Sequence, residues 1–235
     1  MDKTPTETTD APFEAPLVKL DILSDPICPW CYIGKTWLDR ALEAHPEHPF
    51  VIEWHPFQLN DNMPTFGMER RQYLETKFGG QENAMKVYSE IDKTAREAGL
   101  EMAWEKIDRT PNTLNAHRLI HWAGLEGKQT AVVSALFKAY FQLGVDIGDT
   151  DALSEIAGKC GMDQAAVKRL FDTDGDLQLV KEQDAQAREM GVRSVPTFVL
   201  ANEHVLAGAQ RSDIWSEIIA DVNRQLAAAP KPPVS

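Results

Sequence analysis

Cys28 and Cys31 are separated by Pro29 and Trp30, and this Cys-x-x-Cys stands where a short apolar run gives way to a helical pattern. That context is more informative than the bare spacing, because it sets the first sulfur at the start of a helix. Pro29 falls in the first turn, where a missing backbone N–H costs nothing. The unpaired first-turn N–H groups and the positive end of the helix dipole favour a thiolate over a thiol. A free cysteine with a pKa near ~8.5 is only a few per cent ionised at neutrality, whereas a value of about 7 makes roughly half of it nucleophilic. Both sulfurs fit within one turn, so a mixed disulfide at Cys28 can be resolved by Cys31. Cys28 is expected to be the exposed nucleophile, and Cys31 its shielded partner facing the helix–sheet packing. Zinc would need two further ligands at recognisable spacing, and the third cysteine, Cys160, has no companion, so no metal is expected.

The elements that must hold this pair can be read outward from it. Leu17 to Leu23 is an apolar-rich run bounded by Ser24-Asp25-Pro26, which suits a buried strand. After Pro29, Ile33, Trp37, Leu38, Ala41 and Leu42 recur at helical spacing, with Lys35, Asp39, Arg40 and Glu43 assigned to the other face, until Pro46 ends the pattern. Phe50 to Phe57 returns to strand composition, with Pro56 closing its ladder. The order strand, helix, strand is that of a parallel unit.

The middle is helical in pattern: Tyr73 to Phe78, Ala84 to Ala98, Ala116 to Ala123, Ala131 to Leu143, Ala152 to Ala157 and Leu177 to Met190, with breaks at glycine and proline. Pro196 to Leu200 and His204 to Leu206 then flank a short polar link as a hairpin. A last helix carries Ile214, Ile218, Val222 and Leu226 on one stripe. The expected organisation is an α/β domain from residues 17–64 and 191–228, interrupted by a helical insertion at 65–190. Residues 1–16 are expected to be a disordered tail and 229–235 a loose one.

Composition narrows the partners. The formal net charge of −12, with no cluster of Lys and Arg, opposes a nucleic-acid backbone. The polar, acidic start lacks the basic and apolar regions of a secretory signal, and no run approaches the roughly 20 apolar residues of a membrane span. A cytoplasmic protein with no nucleic-acid or membrane partner is the expectation.

Several segments together resemble the DsbA family, and within it the FrnE-like branch close to the 2-hydroxychromene-2-carboxylate isomerases and kappa-class glutathione transferases. They are Ser24 to Gly34, Trp54 to Leu59, Asn112 to Leu119, Gly191 to Phe198 and Gly208 to Gln210, spread over about Val18 to Leu226. The resemblance implies a thioredoxin fold with an inserted α-helical domain, and a thiol–disulfide oxidoreductase acting on protein or small-molecule disulfides. It also implies that Val195-Pro196 is a cis-proline loop lying against the cysteines, with the Val195 backbone free to pair with an extended substrate. Taken alone, the residues show only a proline opening a strand. Pro29, Trp30, Val195 and Pro196 are thus expected to support Cys28 and Cys31. No bound cofactor is expected, with glutathione weighed as a co-substrate.

Two departures matter. DsbA itself has Pro-His between its cysteines where this chain has Pro-Trp, so its potential does not carry across. The isomerases have serine in place of the first cysteine, so Cys28 favours redox work over a glutathione-dependent isomerase or transferase. A binding module or holdase using an apolar rim of Trp30, Tyr32, Trp54 and Phe57 is a third reading, although most of these aromatics are expected to be core. Asp25 and His55, near the ends of adjacent strands, are weighed as proton acceptor or charge neighbour of the cysteines against ordinary turn and strand duties, which are the preferred reading. His117 and His121, four apart on a helix, are read as structural rather than metal-binding.

Overall fold

A computed structural model describes residues 17–228; the two tails expected at 1–16 and 229–235 lie outside them. The centre is β1 (Val18–Ser24), seven residues with its last five buried. It pairs in parallel with β2 (Phe50–Pro56), from Val18 opposite Phe50 to Ser24 opposite Pro56. On its other side β1 pairs antiparallel with β5 (Thr197–Leu200), Leu23 facing Thr197, and β5 pairs with β6 (His204–Ala207). The four-stranded order is β2-β1-β5-β6.

Strand alternation gives the sheet two different faces. Leu20, Ile22, Phe198 and Leu200 are buried on one face, beneath α1 (Pro29–Ala44) and α9 (Ser212–Ala228), which pack on each other. The fully buried Trp215 of α9 meets the Phe198 ring edge-on at 4.9 Å. The buried line of α9 runs through Trp215 and Ile219, and Ile214 of the expected stripe is 38% exposed. Ile218 and Val222 of the expected stripe still pack against the core, beside the large indole that takes the pocket over the sheet. Lys35 also departs from its assignment to the polar face: it is 4% exposed, and its ammonium is neutralised by Asp39 one turn on.

Between β2 and β5 run α2 (Arg70–Phe78), α3 (Gln81–Glu97), α4 (Leu114–Leu125), α5 (Gln129–Leu143), α6 (Thr150–Lys159), α7 (Gln164–Phe171) and α8 (Leu177–Glu189). A two-residue ladder, β3 (Met68–Glu69) with β4 (Arg109–Thr110), and a 3-10 turn at Trp104–Lys106 punctuate them. Helical patterning found all of these helices except α7. The insertion and the sheet share one continuous core: Tyr32 of α1 stacks on Phe137 of α5 at 5.1 Å, and Trp54 of β2 bonds Gln129 and Thr130. Among the described residues, no helix is long and apolar enough to cross a membrane.

Candidate active site at the start of the first helix

Cys28 is the N-cap of α1 in extended conformation (φ −86°, ψ 114°), with Pro29 directly inside the helix. Its N–H donates to Asp25 O at 2.9 Å, and its carbonyl accepts from Cys31 and Tyr32 at 3.1 and 3.2 Å, opening the helix. The first turn of α1 holds no acidic residue. Cys31 lies one turn on, its sulfur close to that of Cys28.

The exposure expected for Cys28 is not found: it is 3% exposed and Cys31 1%. The reason is the loop before β5. The Val195–Pro196 peptide bond is cis, and the Cys28 Sγ donates to Val195 O at 3.5 Å. That loop covers the sulfur. Gly34 permits the close fit, since a Cβ there would lie 3.2 Å from Pro196 Cγ and 3.3 Å from Ala209 Cα. Gly34→Val is therefore expected to push the loop from the helix, costing about 1–3 kcal/mol by overpacking. Urea melts would read the loss; an unchanged midpoint would show that the contact is slack.

Burial, and then the neighbouring Cys28 sulfur, push the Cys31 thiol well up, while the Ser24 hydroxyl and the Asp25 N–H act in the opposite direction. Asp25 is fully buried, its carboxyl accepting from Leu59 N at 2.7 Å and Ile27 N at 3.3 Å. Burial raises it to about 7, against the pull of those two N–H groups and the Thr113 hydroxyl. His117, 3% exposed on α4, brings Nε2 to 3.9 Å from Asp25 Oδ1 and is held down at about 3 by burial.

The two candidate neighbours thus divide. Asp25 does sit against the cysteines, and His55 does not: it bonds Asp21 on the other face of the sheet. Asp21, Glu53 and His55 gather their ligand atoms within 4.8 Å, but Lys19 Nζ already lies 2.9 Å from Asp21 and 2.8 Å from Glu53 and supplies the cation. Of the four aromatics weighed as a rim, Trp30 is 37% exposed, and Tyr32, Trp54 and Phe57 are core, as expected of most of them. His121 is half-buried and stands apart from the Asp25 contact. Sequence reasoning missed the approach of Thr113 and His117 to the site, although both lie in or beside the Asn112 to Leu119 segment singled out for its resemblance.

The sequence model of the DSBA-like thioredoxin domain matches residues 19–220, from β1 into α9. The chain belongs to that family. The probable DsbA oxidoreductase SCO1869 from Streptomyces coelicolor is 25% identical to this DSBA-like protein, covers 93% of each chain and superposes with a TM-score of 0.76. YwbO of Bacillus subtilis (strain 168) is 25% identical over 213 residues, 88% of this chain and 98% of its own. The cytosolic disulfide reductase DsbM from Pseudomonas aeruginosa, solved with GSH, shares the fold at TM-score 0.63 and 18% identity, over 88% of this chain and 99% of its own. The DSBA-like assignment makes this an enzyme of the oxidoreductase type.

Proposed function

We propose that this DSBA-like protein is a cytoplasmic thiol–disulfide oxidoreductase of protein and small-molecule disulfides, with glutathione as a co-substrate. The observation that carries the reading is the pair of sulfurs one turn apart at the start of α1, the first in contact with Val195 O. The positive end of α1 stabilises an anion at its N-cap, which suits Cys28 to attack. The Cys28 thiolate bonds to one sulfur of a substrate disulfide, and the other leaves as a thiolate. Cys31 then gives up its proton and attacks Cys28, closing the protein disulfide and expelling the second substrate sulfur. The substrate gains two electrons and the protein loses them; run backwards, the sequence oxidises a substrate dithiol. Pro29 and Trp30 shape the helix start and its exposed edge, and the loop at Val195 and Pro196 receives the substrate backbone. The solved DsbM complex with GSH supports glutathione as the restoring thiol.

With Cys31→Ser the second step has no sulfur, so mixed disulfides should accumulate on Cys28 and be released by a reducing agent. Non-reducing electrophoresis and mass spectrometry would identify them as protein or glutathione adducts. A variant that captures neither, from disulfide peptides or oxidised glutathione, would defeat the reading. Equilibrating the wild-type pair against glutathione gives the direction of flow, since about 30 mV corresponds to about 1.4 kcal/mol.

A further inference from the structure

Resolution asks Cys31 to react as a thiolate in a place that disfavours one. The residue is 1% exposed, and burial is the largest force holding its proton on. Once Cys28 is tied up in a mixed disulfide, its own charge no longer opposes that anion, and burial is what remains. A buried anion needs hydrogen-bond donors. One is the Asp25 N–H, fixed by the backbone. The other is the side chain of Ser24, the last residue of β1. Strand alternation turns Ser24 to the same face as Leu20 and Ile22, beneath α1, where Cys31 lies.

Ser24 is 5% exposed, and its Oγ is buried with no completed hydrogen bond among the described residues. Such a group in a native fold needs an explanation. Hydroxyls on the helices donate to a carbonyl one turn back, as Thr36 does to Tyr32 O and Ser154 to Thr150 O. A strand offers no such carbonyl, and the Ser24 hydroxyl bears instead on the Cys31 sulfur, whose acidity it raises. A neutral thiol is a weak acceptor, whereas an ionised one makes the stronger, charge-assisted bond. The bond left unmade at rest is the one that ionisation of Cys31 would complete.

We propose that Ser24 is a catalytic residue of the resolving step, its hydroxyl donating to the Cys31 sulfur as that sulfur turns into the attacking thiolate. The inference rests on the oxidoreductase reading. In this step the Cys31 S–H bond breaks, and the freed electron pair forms the bond to the Cys28 sulfur. The bond from Cys28 to the substrate sulfur breaks, its electrons leaving with the substrate. The proton ends on the departing substrate thiol, so nothing else is consumed, and Ser24 keeps its own proton throughout.

The other titratable groups about the pair already have their partners or their part. Cys28 carries the mixed disulfide. The Asp25 carboxyl is taken by the N–H groups of Leu59 and Ile27, with His117 of α4 behind it. Lys35, one turn further along α1, is neutralised by Asp39. Tyr88 of α3 feels Cys28 by charge.

Dithiobis(nitrobenzoate) separates the two steps, in a Cys160→Ser background so that the half-buried third thiol does not report. Attack by Cys28 releases one thionitrobenzoate and leaves a second on Cys28, which Cys31 then expels. Ser24→Ala should leave the first release unchanged and slow the second about tenfold at neutrality, the loss of one hydrogen bond to an anion. Its second phase should need about one further pH unit to reach a given rate, and the two profiles should converge where Cys31 is ionised in both proteins. Ser24→Thr keeps a hydroxyl on the same carbon and should stay near the background protein. Ser24→Gly removes the hydroxyl together with its carbon; it should match alanine, and it serves if alanine does not fold. A second phase unaltered by both removals, or slowed by the same factor at every pH, would overturn the proposal, because a packing role has no pH signature. No first release in the background protein would overturn the oxidoreductase reading itself. A normal first release with a second phase indifferent to Ser24 would overturn the role of Ser24 alone.

Discussion

Cys28→Ser is expected to lower thiol–disulfide exchange by about a thousandfold or more, equivalent to about 4 kcal/mol of barrier. Two features of the site make so large a loss the natural expectation. Serine cannot form the mixed disulfide, and its hydroxyl is far less acidic than a thiol, so the first covalent step has no substitute. The remaining sulfur of the pair offers no detour, because Cys31 is 1% exposed and burial holds it as a thiol. A substrate sulfur arriving from solvent meets the Val195 loop and position 28 before it can meet Cys31. The oxygen is close in size to the sulfur it replaces and remains beside Val195 O, so the fold should survive; thermal melts would verify this. Turnover of insulin or of a fluorescent disulfide peptide would measure the effect. Retention of wild-type turnover by a folded Cys28→Ser variant would move the chemistry elsewhere in the molecule.

What made this site readable beforehand is that its parts are adjacent in sequence. Cys28, Pro29 and Cys31 lie in four consecutive residues between a strand pattern and a helix pattern, so local rules suffice to place them at a helix N-terminus. The exposure of Cys28 was not readable, because what buries it is Val195, 167 positions away. His117 illustrates the same limit: helical spacing puts it on α4, but only the packing of the insertion shows that it ends 3.9 Å from Asp25. Helix α7 is not evident from the sequence because its eight residues, with Val167, Leu170 and Phe171 on one face, span too few turns for the repeat to stand out. Its start depends instead on the Asp163 side chain capping Ala166 N. The charge of Lys35 points it outward in the helical pattern, and its burial depends on Asp39, whose partnership the periodicity does not report. His55 stands at the end of a strand and has an ordinary strand role, bonded to Asp21 away from the cysteines. Strand alternation sends it with Asp21 to the face opposite α1, so its parity, rather than its distance along β2, decides where it goes.

Asp25 and His117, both buried, should appear in the stability of the protein with opposite signs. Asp25 has its acid raised from 3.8 to about 7 in the folded state. The folded chain therefore holds more protons than the unfolded chain between about pH 4 and 7, and this group's contribution falls as pH rises through that window. His117 is lowered from 6.5 to about 3. Here the unfolded chain holds more protons between about pH 3 and 6.5, and the contribution rises with pH. Where the windows overlap the two slopes oppose, so the pair in the wild type is nearly silent, and removing one member uncovers the other. Between pH 5 and 7, His117→Leu should lose about 2 kcal/mol relative to wild type as pH increases, and Asp25→Asn should gain about as much. Absolute stabilities at one pH cannot test this. Asparagine has one oxygen for the N–H groups of Leu59 and Ile27 that Asp25 accepts with two, and leucine fills the imidazole site imperfectly, so each variant carries a constant offset. Slopes are free of that offset, because neither replacement titrates and the remaining groups are common to all three proteins. Urea unfolding at several pH values across the window supplies them. Parallel pH profiles for wild type and both variants would mean that the two groups titrate alike in folded and unfolded chains, and that their burial does not set their charge.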